Sequence, residues 1–124
     1  MATPRNLIGF VPTADGARAR AFYEQVLGLH FVSDDQFAIV FRSEGNMIRI
    51  AKMESFTPAP YTVLGWEVSD IEDEVKRLAD KGVAFERYAF LTQDASSIWE
   101  APGGAKVAWF KDPDGNVLSL SQHP

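Results

Sequence analysis

The chain repeats itself, and that constrains its fold more than any other feature. Residues 105–122, AKVAWFKDPDGNVLSLSQ, read as two β-strands joined by a tight turn at Asp112, Pro113, Asp114 and Gly115. Pro113 presets φ, the side chains of Asp112 and Asn116 can hydrogen-bond nearby backbone, and Gly115 supplies the positive φ that a reversal needs. Along the two strands Ala108 and Phe110 fall on one face and Val107 and Trp109 on the other, then Leu118 and Leu120 oppose Val117, Ser119 and Ser121. A fainter copy runs from Arg42 to Lys52, where Gly45-Asn46 and the alternating Met47 to Ala51 align with Gly115-Asn116 and Val117 to Ser121. Asp15, a helical pattern, Gly28 and Phe31 likewise align with Asp70, a helical pattern, Gly82 and Phe85. Each half therefore reads as strand, helix and three strands.

The elements come in a simple order. Asn6 to Val11 is an apolar strand stopped by Pro12, and Asp15 caps a helix whose stripe is Ala19, Phe22, Tyr23, Val26 and Leu27, ended by Gly28. Strands are expected at 29–33, 37–41 and 47–52, then at 61–68. Ser69 and Glu72 form a capping-box pattern before a second helix with Ile71, Val75, Leu78 and Ala79 on its apolar face, ended by Gly82. Trp66 shares a face with Leu64 and Val68 and is expected in the core beneath that helix. Residues 88–105 read as one irregular strand near Ile98 plus loops. The 124 residues thus form one domain, with module one at about 5–53, a proline-bearing connector at 54–60 and module two at about 61–122.

Composition removes several classes of function. There is no cysteine, which excludes disulfides and thiolate sites. A net charge of −5 without a Lys/Arg cluster lacks the footprint of a nucleic-acid binder. No apolar run approaches the ~20 residues that span a bilayer, so neither nucleic acid nor membrane is an expected partner, and a cytoplasmic location is the simplest reading.

Three segments carry a resemblance to a known family: WFKDPDGNVLSLSQ from Trp109, RARAFYEQVLGLHF from Arg18, and EVSDIEDEVKRLADKGVAF from Glu67. They are similar to the vicinal oxygen chelate superfamily, the group of glyoxalases, bleomycin-resistance proteins and extradiol dioxygenases. The resemblance implies an α+β fold of two tandem βαβββ modules forming a curved mixed sheet around a cavity. It also implies that chains pair as homodimers. In metal-using members His, Gln or Glu side chains from the first and last strands of each half hold a divalent ion, and the matching positions here are Asn6, Arg49, Val63 and Ser119. None is a good ligand: valine has no donor atom, arginine is a fixed cation, and serine and asparagine bind weakly beside imidazole or carboxylate. His30 follows a helix end and His123 is next to last, so neither repairs the set. No cofactor or metal is expected, and the chain resembles most the metal-free bleomycin-resistance-like members.

The inward faces would then present Asn6, Arg49, Val63, Gly65, Glu67, Trp109 and Ser119, and Trp99 lies on a loop that could equally close over a ligand at the cavity mouth or only shield the sheet edge. Trp109 could stack on a planar ligand, Arg49 could pair with an anionic group, and Asn6 and Ser119 could orient it. Equally, Arg49 and Glu67 could neutralise each other, and Trp109 could be core or dimer interface. The expected function is metal-free binding and sequestration of a small aromatic or anionic compound. The alternative is a glyoxalase- or isomerase-type lyase with a non-standard metal site or with Glu67 as acid and base.

Overall fold

The computed structural model describes residues 6–124, so the expected start of module one at residue 5 lies outside the described residues. The chain divides into two compact units, Met1–Pro58 and Ala59–Pro124, and each carries one four-stranded mixed sheet.

In the first unit β1 (Ile8–Thr13) leads into helix α1 (Gly16–Ala21), followed by β2 (His30–Asp34), β3 (Ala38–Ser43) and β4 (Asn46–Lys52). The sheet order is β1-β4-β3-β2, with β1 parallel to β4 and the other pairs antiparallel. Pro12 does not end β1, which runs on to Thr13. The strand lies at the sheet edge, where a residue without an N–H is tolerated. Asp15 caps α1 as its position suggests, its carboxylate accepting the Arg18 N–H at 3.2 Å.

The helical stripe is less regular than its spacing implies. After Ala21 the chain enters a π-helical turn, Phe22–Val26, in which the Leu27 N–H donates to the Phe22 carbonyl. The extra residue in that turn rotates the remainder of the stripe about the helix axis, so Ala19 and Tyr23 are buried while Phe22, Val26 and Leu27 are only half-buried. Tyr23 packs on Phe41, and Val11, Ile39, Ile48 and Ile50 complete this core.

The second unit repeats the topology. Strand β5 (Thr62–Glu67) precedes helix α2 (Ile71–Asp80), then come β6 (Trp99–Glu100), β7 (Lys106–Lys111) and β8 (Val117–Gln122), in the order β5-β8-β7-β6. The cap of α2 is Asp70, whose carboxylate accepts the Asp73 N–H at 3.1 Å, and not the Ser69–Glu72 box. A carboxylate at the N-terminus of a helix also meets the positive end of its dipole. The Ile71 N–H donates to Gln122 Oε1 at 2.8 Å, which ties the helix start to β8. Ile71, Val75 and Leu78 of α2 are buried, as are Ala108, Phe110, Leu118 and Leu120 of the hairpin, so the helix seals the sheet face that the alternation marks as apolar. Ala79 is exposed, outside the stripe expected for it. Trp66 pairs with Leu120 but is half-buried and not core, because β5 is an edge strand.

On the opposite face of the same sheet Gly65 pairs with Ser119. A Cβ on Gly65 would meet Ser119 Oγ, which must then rotate away, and stand 3.3 Å from the Ser119 carbonyl oxygen, tighter than ordinary contact, so the close approach of β5 and β8 here favours glycine. Gly65→Ala is expected to destabilise the protein by about 1–3 kcal/mol. Adding Ser119→Gly should recover most of that loss in urea unfolding, and equal stabilities of the single and double variants would show that this contact is not the constraint.

Candidate functional site: an aromatic cavity in the second unit

The face of β7 turned away from α2 carries Trp109, and the second unit has a cavity of about 370 Å³ against it. Trp109 and Trp99 stand with ring centroids 6.0 Å apart and planes tilted by 33°. Tyr88 meets Trp109 at 5.5 Å, edge to face, and Phe90 meets Tyr88 at 5.5 Å. Four rings are therefore in unbroken contact, a geometry in which each aromatic pair contributes beyond its buried area. Tyr61 and Thr62 form a further wall, and Pro60, Leu91 and Val117 fill the rest. Phe90 is 82% exposed and Tyr61 67% exposed, so apolar ring surface faces solvent at the rim. The indole N–H of Trp109 donates to Thr62 Oγ1 at 3.1 Å, which fixes the ring's orientation. No lining side chain carries a formal charge.

Tyr88 and Phe90 lie outside regular strands, and two side chains hold their segment in place. Gln93 Oε1 accepts the Tyr88 N–H at 2.7 Å, while its Nε2 donates to the carbonyls of Glu86 at 3.0 Å and Ser97 at 2.7 Å. Arg87 donates through Nη1 to the Asp94 carbonyl and Ser97 Oγ, and through Nη2 to the Gln93 carbonyl. The Glu86 N–H donates to the Trp109 carbonyl at 2.8 Å, which ties this segment to β7. The segment is irregular in its dihedrals but has its polar groups satisfied.

Desolvation raises the pKa of the Tyr88 phenol above its ordinary value, Glu86 adds to the rise, and Lys111 opposes it. Lys111 itself stands 3.5 Å from the Glu86 carboxylate. The phenol is therefore neutral at physiological pH.

Trp99 and Trp109 are the two expected site residues that the structure brings together. Ser119 lies on the same strand face, opposite both Gly65 and Trp109. Val63 is half-buried at the register irregularity between Thr62 and Leu64, and Glu67 is exposed at the end of β5 beside Ser121. Asn6 and Arg49 belong to the first unit: Asn6 is exposed ahead of β1, and Arg49 is half-buried on β4 with Phe10 and Val40 as its strand partners. There Arg49 has a local role. The Asp35 carboxyl is held below the usual carboxylate range by hydrogen bonds from the Phe37 and Ala38 N–H groups, with the charges of Arg49 and Lys52 assisting. Tyr61, Thr62, Tyr88 and Phe90 are not singled out by sequence; Tyr88 and Phe90 carry one signal, aromatic residues spaced by two in a stretch without regular period.

The four positions matched to metal ligands carry an amide, a guanidinium, an isopropyl group and a hydroxyl, which do not fit a divalent cation. Among the described residues no group of three or more His, Asp or Glu side chains is placed to hold one. His123 Nε2 is instead 3.0 Å from Ser121 Oγ. Among the described residues no helix is long and apolar enough to cross a membrane.

Two mixed sheets built from tandem βαβββ modules are the architecture of one large superfamily. The sequence model of the Glyoxalase/Bleomycin resistance protein/Dioxygenase superfamily matches residues 8–120, and the chain belongs to that superfamily. No curated protein matches the chain significantly. Among solved structures, a superfamily member from Sphaerobacter thermophilus is similar with a TM-score of 0.78 at 23% identity, over 98% of each chain. An antibiotic-binding protein from a Streptomyces species gives a TM-score of 0.77 at 22% identity, over 100% of this chain and 99% of that one. A lactoylglutathione lyase from Agrobacterium tumefaciens gives 0.73 at 16% identity, over 94% and 91%.

The cavity wall generates two expectations. Gln93→Leu, close in shape but without the amide, leaves the Tyr88 N–H unpaired and costs about 1–3 kcal/mol locally; amide exchange should accelerate at Tyr88 while the protected amides of α2 keep their rates. Because the folded-state pKa of Tyr88 is raised, its contribution to stability is full below the ordinary phenol pKa of about 10 and is lost as pH climbs through the folded value. Tyr88→Phe should accordingly lose part of the alkaline decline in stability that the parent protein shows, and an unchanged decline would contradict the assignment.

Proposed function

We propose that this protein binds a small, planar and largely apolar molecule in the aromatic cavity of its second unit, without a metal ion, and sequesters it rather than converting it. The observation that carries the proposal is the continuous wall of Phe90, Tyr88, Trp109 and Trp99 around about 370 Å³. That volume lies within the usual range for small-molecule sites, which are mostly apolar with a few orienting polar groups. Thr62, the Tyr61 and Tyr88 hydroxyls and the Trp99 indole N–H are the polar groups of this lining. The lining contains neither carboxylate nor imidazole, and Glu67 is not part of it, so the acid–base role considered for Glu67 is not available at this cavity. The antibiotic-binding neighbour from Streptomyces is consistent with this reading.

Geometry also restricts the pose. Inserting a ring between two others needs about 7 Å between their planes, twice the optimal carbon–carbon separation. The 6.0 Å between the Trp99 and Trp109 centroids is too short for that, so a ligand lies against the wall formed by both rings. Two- and three-ring heteroaromatics should raise the melting temperature and quench tryptophan fluorescence, with no change on adding chelator. Trp109→Leu should weaken the tightest of them about tenfold, the effect of losing one aromatic face plus its area. Stabilisation that depends on an added divalent metal, or turnover of the methylglyoxal–glutathione adduct, would overturn the proposal.

A further inference from the structure

Charge is distributed unevenly between the two units. Residues 59–124 hold eleven Asp and Glu against six Lys and Arg, whereas residues 1–58 hold six of each. The whole net charge of −5 therefore belongs to the unit that contains the aromatic cavity. Within that unit Lys106 and Lys111 are paired with Glu72 and Glu86, and Arg77 with Glu74. The cavity lining contributes no charge of its own.

We infer that this cavity selects organic cations, aryl- or alkyl-linked quaternary ammonium compounds in particular, over neutral and anionic molecules of the same shape. The inference rests on the proposed reading of the cavity as a binding site and adds the sign of the ligand's charge. Two independent features lead to it. The first is the wall itself: a ring presents a negative face and a positive edge, and a cation over the faces of tryptophan or tyrosine is attracted by that quadrupole. The positive N–H edge of Trp109 is already engaged with Thr62 Oγ1, so the ring offers a ligand its face and not its donor. An anion is best held by a charged donor, and the lining has no Lys or Arg; its donors are neutral, the Trp99 indole N–H and the hydroxyls of Thr62, Tyr61 and Tyr88. The second feature is the unit's excess of five negative charges; six of its eleven carboxylates lie at 67–80 around α2, on the far side of the sheet, and at low salt, where the Debye length reaches about 30 Å, their field extends across the unit and favours cations over anions. A carboxylate inside the cavity would give a stronger site for primary amines, which are strongly hydrated. Its absence from the lining favours a bulky, weakly hydrated cation that can be desolvated against rings.

Three phenols that differ only in a tetrahedral para substituent separate the possibilities: para-hydroxyphenyltrimethylammonium, para-tert-butylphenol and para-hydroxybenzenesulfonate. Binding is read at neutral pH and low salt from the indole N–H resonances of Trp99 and Trp109, with affinities from calorimetry. The ammonium should bind roughly tenfold more tightly than the tert-butyl compound, a ratio within the span of cation–π energies. The sulfonate should bind most weakly, and added salt should weaken the ammonium without affecting the neutral probe. Trp99→Leu, which keeps apolar area and removes a ring face, should lower the preference for ammonium severalfold while retaining the neutral probe. Equal affinities of the ammonium and tert-butyl compounds, or tighter binding of the sulfonate, overturns the inference and leaves the cavity reading intact. If none of the three moves either indole signal, both fall. The wild-type comparison decides the matter even if the Trp99 variant does not fold.

Discussion

The buried carboxylate of Asp112 controls the register on which the second unit depends. It accepts the N–H of Asp114 at 2.9 Å and the N–H of Asn116 at 3.0 Å through Oδ1, and the Asn116 side-chain amide at 2.9 Å through Oδ2. Asp112 and Asn116 are almost fully buried, so the bonds between them act where water cannot replace them. They clamp the turn so that Lys111 faces Val117 and Trp109 faces Ser119. In a strand the side-chain period is two, and a slip of one residue would send Trp109 under α2 and bring Phe110 out. The apolar seal of α2 and the open aromatic wall are thus two consequences of one turn.

Much of this was legible because the information is local. Asp15, Gly28, Gly82 and the Asp112–Gly115 turn act on neighbours within a few residues, and the glycines adopt the positive φ expected of them. The alternation in 105–122 separated Trp109 from Phe110 correctly, since a hairpin with one sealed face leaves no other arrangement. The failures have physical causes as well. Ser69 and Asp70 both suit an N-cap, and only the backbone shows that Asp70, with φ −142 and ψ 92, takes the extended cap conformation. The π-helical turn after Ala21 has no residue signature, being a choice among hydrogen-bond partners one residue apart. Tyr88 and Phe90 reach the cavity through Gln93 and Arg87, whose bonds run to backbone carbonyls that carry no sequence signal.

The two units show the same topology put to different uses. In the first, the equivalent last strand carries a charged residue, Arg49, half-buried with Phe10 and Val40 as its strand partners. In the second, the corresponding place is taken by Ser119, small enough for β5 to approach through Gly65. The repeat therefore preserves backbone pairing while the side chains diverge, which is why fold is readable from either half and the aromatic cavity from only one.

The rim rings bear on how the cavity stays open. A phenylalanine left in water forgoes about 1.5–3 kcal/mol relative to burial, and Phe90 at 82% exposure is in that condition. Its segment could collapse onto the Trp99–Trp109 wall only by breaking the bonds that Gln93 and Arg87 make to Glu86, Gln93, Asp94 and Ser97. The three Gln93 bonds are partly buried and each costs about 1–3 kcal/mol if lost, so losing them together exceeds the gain from covering one ring, whereas the Arg87 bonds to Asp94 and Gln93 are exposed and water can replace them. The network thus holds the cavity open against hydrophobic collapse.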